Sequence, residues 1–256
     1  MKTSKRILPF SSADLVTTFP ESWEEVSQQL LRYIYTLLAE GITPGEVRTY
    51  AFCRHNGIKI AGAVPGSPSQ SPTWIVIFQG RRFALPTHLL AYGLQQLDWI
   101  EKPPTTPVRL DTLHHATAID TALHGLPFKS YIQLENLFQG YLMSKNEDAL
   151  TEMAKILYPG FEGNKLSGAE QYNIVAWMSG VKSLFARLWP DFFQPAPGAQ
   201  TGDIDMVAIM NAEIRALTGG DITKEPVVLE SDCWRALTEL NEKTREAREL
   251  QKSIKK

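Results

Sequence analysis

The chain has 256 residues, of which 43% are hydrophobic and 21% are charged, an ordinary composition for a globular protein with a substantial core. Its formal net charge of −2 supplies no bulk attraction for nucleic acid, so nucleic acid is disfavoured as a partner. The two cysteines, Cys53 and Cys233, lie far apart, which favours reduced thiols in a cytosolic setting over a disulfide framework.

Targeting and membrane signals are also excluded by the sequence pattern. The basic segment Met1 to Phe10 lacks the continuous apolar core of a secretory signal, and no transmembrane or lipidation pattern occurs. We therefore expect a protein without a membrane partner, located in the cytoplasm or in an assembly that forms there.

Residues 1–60 predict an N-terminal arm followed by a helical pair. The segment Leu15 to Phe19 is a candidate short strand within the arm. Ser22 and Glu25 have capping-box spacing, in which the hydroxyl accepts the third residue's N–H and the carboxylate reaches back. The segment 43–46 repeats this spacing, with proline at the first helical position. The apolar face of the first helix comprises Trp23, Val26, Leu30, Tyr33, Ile34, Leu37 and Leu38.

Residues 61–107 predict a loop, a hairpin and a helix. The loop, 61–72, is rich in Gly, Pro and Ser and is typical of a connector. Two β-branched and aromatic runs, 74–78 and 81–85, flank a Gln-Gly turn and predict one small β-hairpin. A helix follows over 87–99, before a second connector made extended by its prolines.

The central stretch, 126–193, predicts three helices, each with its own start and stop signals. Ser144 and Glu147 have capping-box spacing at the start of the second helix, and Ser167 and Glu170 have it at the start of the third. The third helix carries the longest apolar stripe of the chain, which predicts a hydrophobic core: Ile174, Trp177, Met178, Val181, Leu184, Phe185 and Leu188.

The C-terminal part predicts a helix over 203–217 and a final helix that begins near residue 232. Trp234 and Leu237 anchor the first half of the final helix. Its second half is mostly charged and carries only a thin apolar stripe that includes Leu250 and Ile254. Two interpretations stay open, a solvated end or an arm whose stripe is buried by another chain. On the second interpretation, the arm, the partner-binding residues are Trp234, Leu237, Leu250 and Ile254.

One segment, 110–124, is ambiguous and carries three histidines, His114, His115 and His124. If the segment were helical, His115 would lie one turn from Asp111, and His124 one turn from Asp120. These pairs do not match the HExxH signature and no cysteine is near, so solvated or hydrogen-bonding histidines are favoured over a metal site.

Catalytic motifs are missing from the sequence. It contains no GxSxG, no P-loop and no GxGxxG. Cys53 and His55 stand two residues apart, a spacing that points side chains of a helix in different directions and disfavours a nucleophile with its base. We therefore predict no catalytic residue and no cofactor.

Three segments together carry a family resemblance: Phe19-Pro20-Glu21-Ser22-Trp23, which opens onto a helix; the helix Leu134 to Tyr141, followed by Asp148-Ala149-Leu150 through Ile156-Leu157-Tyr158; and Trp234-Arg235-Ala236-Leu237-Thr238-Glu239-Leu240. The combination resembles small helical proteins encoded in the structural and tail-morphogenesis regions of phages and prophages of gut bacteria. Because these are helix-start and packing residues, no functional residue carries over. The resemblance implies a role in building a phage particle, as an assembly factor or a minor structural component.

The sequence thus predicts a mainly α protein, an irregular multi-helix bundle with one small β-hairpin. Its segments are the arm and helical pair (1–60), the loop, hairpin and helix (61–107), the central helical core (108–193) and the C-terminal helices with a charged tail (194–256), which could form one continuous domain. The expected function is non-enzymatic binding of other protein subunits, phage structural proteins or a second copy of the chain, in the cytoplasm or the virion. The alternative is an enzyme or a metal- or small-molecule-binding protein with its site at His114, His115 and His124.

Overall fold

The structure is a computed structural model that describes residues 7–9, 19–64, 73–95, 97–193 and 206–254. The chain divides into two compact units, Met1–Pro103 and Pro104–Lys256, within the second proline-rich connector. Residues 15–18 of the candidate strand Leu15 to Phe19 lie outside the described residues, as does Ile204, which was assigned to a helix from the sequence.

The N-terminal unit combines helices with a small sheet. Its elements are β1 (Ile7–Pro9), α1 (Gln28–Ala39), α2 (Pro44–His55), β2 (Lys59–Val64), β3 (Thr73–Phe78), β4 (Arg81–Pro86) and α3 (Thr87–Gln95), with 3-10 turns at Trp23–Glu25 and Asp98–Glu101. The strand order is β1-β4-β3-β2, in which β1 runs parallel to β4 and the other pairs are antiparallel. The predicted hairpin is confirmed as β3 and β4. Its turn residues Gln79 and Gly80 both have positive φ, as a tight hairpin turn requires.

The loop prediction for 61–72 is wrong over its first four residues. Residues 61–64 continue β2, which pairs with β3 through backbone hydrogen bonds, although every side chain of β2 is exposed. Residues 61–64 lack the β-branched and aromatic pattern that predicts a strand. They pair all the same, because strand pairing uses backbone hydrogen bonds. Residues 65–72 lie outside the described part of the chain.

The start of α1 differs from the prediction, whereas the start of α2 agrees with it. Ser22 and Glu25 bound a 3-10 turn, and α1 begins after Ser27, whose hydroxyl accepts the Leu30 N–H at 3.4 Å. At α2 the predicted capping box is confirmed, because the side chains of Thr43 and Glu46 each accept the other's backbone N–H.

The C-terminal unit is built from helices around the predicted central core. Its elements are β5 (Thr112–Leu113), β6 (Ala116–Thr117), α4 (Phe128–Ser144), α5 (Glu147–Leu157), α6 (Gly168–Leu188), α7 (Pro190–Phe193), α8 (Met206–Thr218), α9 (Glu225–Glu230) and α10 (Cys233–Ile254). The three central helices are α4, α5 and α6, and their buried residues include Leu134, Leu150 and Trp177. The mainly α fold class with a small hairpin-based sheet is therefore confirmed.

The junction between α4 and α5 corrects another predicted helix start. Ser144 is the last residue of α4, and the cap of α5 is Asn146, whose Oδ1 accepts the Asp148 N–H at 3.0 Å. Between them Lys145 adopts the left-handed region, with φ of 56°. The capping box of Ser167 and Glu170 at the start of α6 is confirmed.

The left-handed Lys145 predicts a stabilising substitution. A non-glycine residue pays about 1–2 kcal/mol in this conformation, whereas glycine adopts it freely. Lys145→Gly also loses the contact of the Lys Nζ with the Tyr141 ring, 5.3 Å from its centroid. We expect a net gain of about 0.5–1 kcal/mol in the free energy of unfolding, measured by urea denaturation. Lys145→Ala is the control, because it loses the ring contact and keeps the strain; a gain for Ala as large as that for Gly would contradict this account.

Candidate functional site

Residues 112–117 of the histidine segment form a hairpin, so the pairing of Asp111 with His115 on a helix is wrong. β5 and β6 pair antiparallel, and His114 and His115 form the turn between them. His114 has φ of 51°, a conformation that interrupts any helix. Asp111 and His115 therefore do not stand one helical turn apart.

His114 and His124 each contact an acidic side chain of the same unit. The Nε2 of His114 lies 3.6 Å from a carboxylate oxygen of Glu170. His124 Nδ1 lies 2.8 Å from Asp120 Oδ1, and its ring stacks on Trp234 with centroids 4.0 Å apart. Within the described ranges, no group of three or more His, Cys, Asp and Glu side chains is arranged to hold a metal ion. The geometry gives no support to a metal site at His114, His115 and His124.

The candidate partner-binding residues of α10 fall into two groups. Leu237 is fully buried in the core, and Trp234 is half-buried with its indole N–H donated to the Ala122 carbonyl at 2.8 Å. These two contribute to the packing of the unit itself. Leu250 and Ile254 are 63% and 75% exposed. The accessible part of the predicted surface thus lies on residues 242–254, which we call the outer half of α10.

A second candidate site, absent from the sequence predictions, is a cleft between α4, α6, α7 and α8. Its volume is about 470 Å³. One wall is polar and presents Glu135 from α4, Lys182 from α6 and Glu213 from α8. The rest of the lining is largely apolar and includes Phe192, Phe193, Ile209 and Met210. We refer to this space as the mixed cleft.

Helical spacing and caps position the walls of the mixed cleft. Tyr131, Glu135 and Gln139 stand at successive turns of α4 and so share one face. The apolar wall is held from α10, because Asn241 Oδ1 accepts the backbone N–H groups of Asp191 and Phe192 at 3.0 and 3.1 Å.

The carboxylate of Glu135 has one satisfied and one unsatisfied oxygen. Its Oε1 pairs with the Lys182 ammonium and accepts a hydrogen bond from the Gln139 amide at 2.8 Å. Its Oε2 is buried and has no hydrogen-bond partner among the described residues. A buried acceptor without a donor is costly.

Burial and charge shift the titration of the groups beside Glu135. Burial, followed by repulsion from Glu135, raises the pKa of Glu213 to about 7, against the opposing attraction of Lys182. Burial also raises the pKa of Tyr131 well above its usual value, and the charges of Glu135 and Glu213 add to that effect. The Glu213 carboxyl group therefore exchanges its proton near neutral pH.

Comparisons of the chain with protein-family models, with curated proteins and with solved structures found no match. Of the helices in the described ranges, none has the length and apolar character needed to cross a membrane. Fold and site together define a mainly α protein with an exposed helical arm and a mixed-charge cleft.

Proposed function

We propose that the protein is a non-enzymatic interaction protein that binds another protein subunit through the outer half of α10 during assembly of a phage or prophage particle. The observation that carries this proposal is the change in burial along one face of α10. Leu240, Ala247 and Ile254 recur at every seventh position, the spacing of one side of a helix that packs on another helix. Leu240 is buried in the unit, whereas Ile254 and the neighbouring Leu250 are mostly exposed.

Ion pairs favour the helical state of this outer half before any partner binds. Lys243 pairs with Glu239 one turn earlier at 3.1 Å, and such pairs contribute about 0.2–0.5 kcal/mol each. Arg248 pairs with Asp191 of α7 at 2.9 Å and joins the outer half to the unit. A preformed helix costs less entropy to dock than a disordered tail, which favours a docking arm over a fraying end.

The resemblance of three segments to phage and prophage structural proteins supports a phage structural protein as the partner, and the cytoplasm or the virion as the location. A second copy of this chain is the alternative partner, since a seven-residue repeat also suits self-association. The two partners give different oligomeric states, which makes them separable by mass.

The experiment is size-exclusion chromatography with light scattering, on the protein alone and mixed with the products of neighbouring genes. We expect a complex of defined mass, and a reduction of at least about tenfold in affinity for the double variant Leu250→Glu, Ile254→Glu, because both apolar side chains lie at the expected contact. Lys252→Glu is the matched control: it gives the same net-charge change from the opposite face of α10 and is expected to bind normally. A protein that stays monomeric with every candidate, or a double variant that binds as tightly, would refute the proposal.

A further inference from the structure

We propose that the mixed cleft binds a small organic ammonium ion, with its charged nitrogen between Glu135 and Glu213 and its apolar body against Phe192 and Phe193. This inference is independent of the partner surface on α10. It assigns the cleft a ligand class from its charges, its acidic side chains and its apolar lining.

The charge balance of the polar wall selects a cation. Two carboxylates, Glu135 and Glu213, face one ammonium, Lys182, so the wall carries one net negative charge when both carboxylates are ionised. Lys182 already pairs with Oε1 of Glu135. An anionic ligand would have to compete for that ammonium and would be repelled by both carboxylates.

Hydrogen bonding selects a ligand that donates. The polar lining of the cleft includes two acidic side chains, Glu135 and Glu213. An ammonium nitrogen carries N–H donors and no acceptor, so it complements carboxylate oxygens in both charge and hydrogen bonding.

The apolar part of the lining selects an apolar body. The rings of Phe192 and Phe193 meet edge to face with centroids 4.9 Å apart, beside Ile209 and Met210. Aromatic faces also attract organic cations. The volume of about 470 Å³ falls in the range of small-molecule sites.

The same geometry makes binding depend on pH. The titratable and charged groups that face Glu213 are Tyr131 and Glu135 from α4 and Lys182 from α6. Because the pKa of Glu213 is about 7, a bound cation that favours its ionised form displaces a proton near neutrality. Affinity then rises with pH, by about tenfold between pH 6 and pH 8, while an alkylammonium of pKa about 10 keeps its charge.

The experiment is isothermal titration calorimetry of the full chain with three probes of one shape: 2-phenylethylammonium, 2-phenylethanol and phenylacetate. We expect the ammonium to bind most tightly, with the tenfold rise described above and with proton release in buffers of different ionisation enthalpy. The alcohol should bind more weakly and without pH dependence, and phenylacetate most weakly. Equal binding of the ammonium and the alcohol, tighter binding of phenylacetate, or no binding of any probe at millimolar concentration overturns the proposal.

Variants then locate the site. Glu213→Gln should weaken the ammonium at pH 8 and abolish the pH dependence, and it should stay folded because it removes a charge that burial disfavours. Glu135→Gln should weaken binding at both pH values. Glu239→Gln, on the exposed side of α10, is the matched control and should bind like the unaltered protein. Unchanged ammonium binding in folded Glu213→Gln places the probe elsewhere and refutes the assignment.

Discussion

Replacement of Asn173 by alanine is expected to lower the free energy of unfolding by about 2–4 kcal/mol. Asn173 is completely buried in α6. Its Oδ1 accepts the Leu110 N–H at 2.7 Å, and its Nδ2 donates to the Tyr158 hydroxyl at 2.8 Å. That hydroxyl donates in turn to the Leu110 carbonyl at 2.8 Å. The alanine leaves the buried Leu110 N–H without its acceptor and a small cavity in place of the amide, and both effects destabilise the fold.

Urea denaturation measures this loss. Tyr158→Phe removes the hydroxyl of the same triangle and should also destabilise the protein. Because the three groups act together, the loss in the double variant should differ from the sum of the two single losses. The control is Asn211→Ala on the exposed side of α8, which should be neutral or slightly stabilising through helix propensity. A loss in Asn173→Ala as small as that in the control would show that the triangle contributes little.

Helix caps and tight turns could be predicted from the sequence, because residues close in the chain determine them. The capping boxes at Thr43 and Ser167 and the Gln79-Gly80 turn depend on residues within one turn, and the structure has all three. The predicted helix cap at Ser144 is wrong, and the reason is also local. Asn146 is an equally good cap two residues later, and the left-handed Lys145 before it ends α4.

Residues fixed by distant partners could not be read in this way. Asn173 and Lys182 both interrupt the apolar stripe of α6, and the stripe alone does not distinguish them. Asn173 is buried because Leu110, 63 residues earlier, supplies its partner. Lys182 reaches the mixed cleft because Glu135, 47 residues earlier, pairs with it. A polar residue within a strongly apolar stripe was the only available signal.

The mixed cleft illustrates the same limit for function. Glu135, Lys182 and Glu213 come from three helices and form no motif of fixed spacing. Sequence motifs direct attention to residues that are close in the chain, which is why the histidines of 114–124 were considered as a site. Those histidines do not converge on one site, since His114 contacts Glu170 and His124 stacks on Trp234. The groups of the mixed cleft come together only when α4, α6 and α8 pack.

Two helical glycines provide a further stability prediction, in which the two substitutions have opposite effects. A Cβ at Gly180 would lie 2.3 Å from the Thr106 carbonyl oxygen and 2.9 Å from the Pro107 Cα, both backbone atoms. Gly180→Ala should therefore cost about 1–3 kcal/mol, because displacing the 104–107 segment outweighs the helix propensity of about 1 kcal/mol that alanine gains.

Gly140 is the matched site, since it also lies within a helix and a Cβ there meets no atom within 4 Å. Gly140→Ala should raise the free energy of unfolding by about 0.5–1 kcal/mol. Thermal and urea denaturation of both variants should move in opposite directions. Stabilisation by both alanines would mean that the 104–107 segment does not contact α6, whereas destabilisation by both would mean that position 140 is closely packed. The sign of the difference thus tests the contact between α6 and the start of the C-terminal unit, because propensity contributes equally to the two variants.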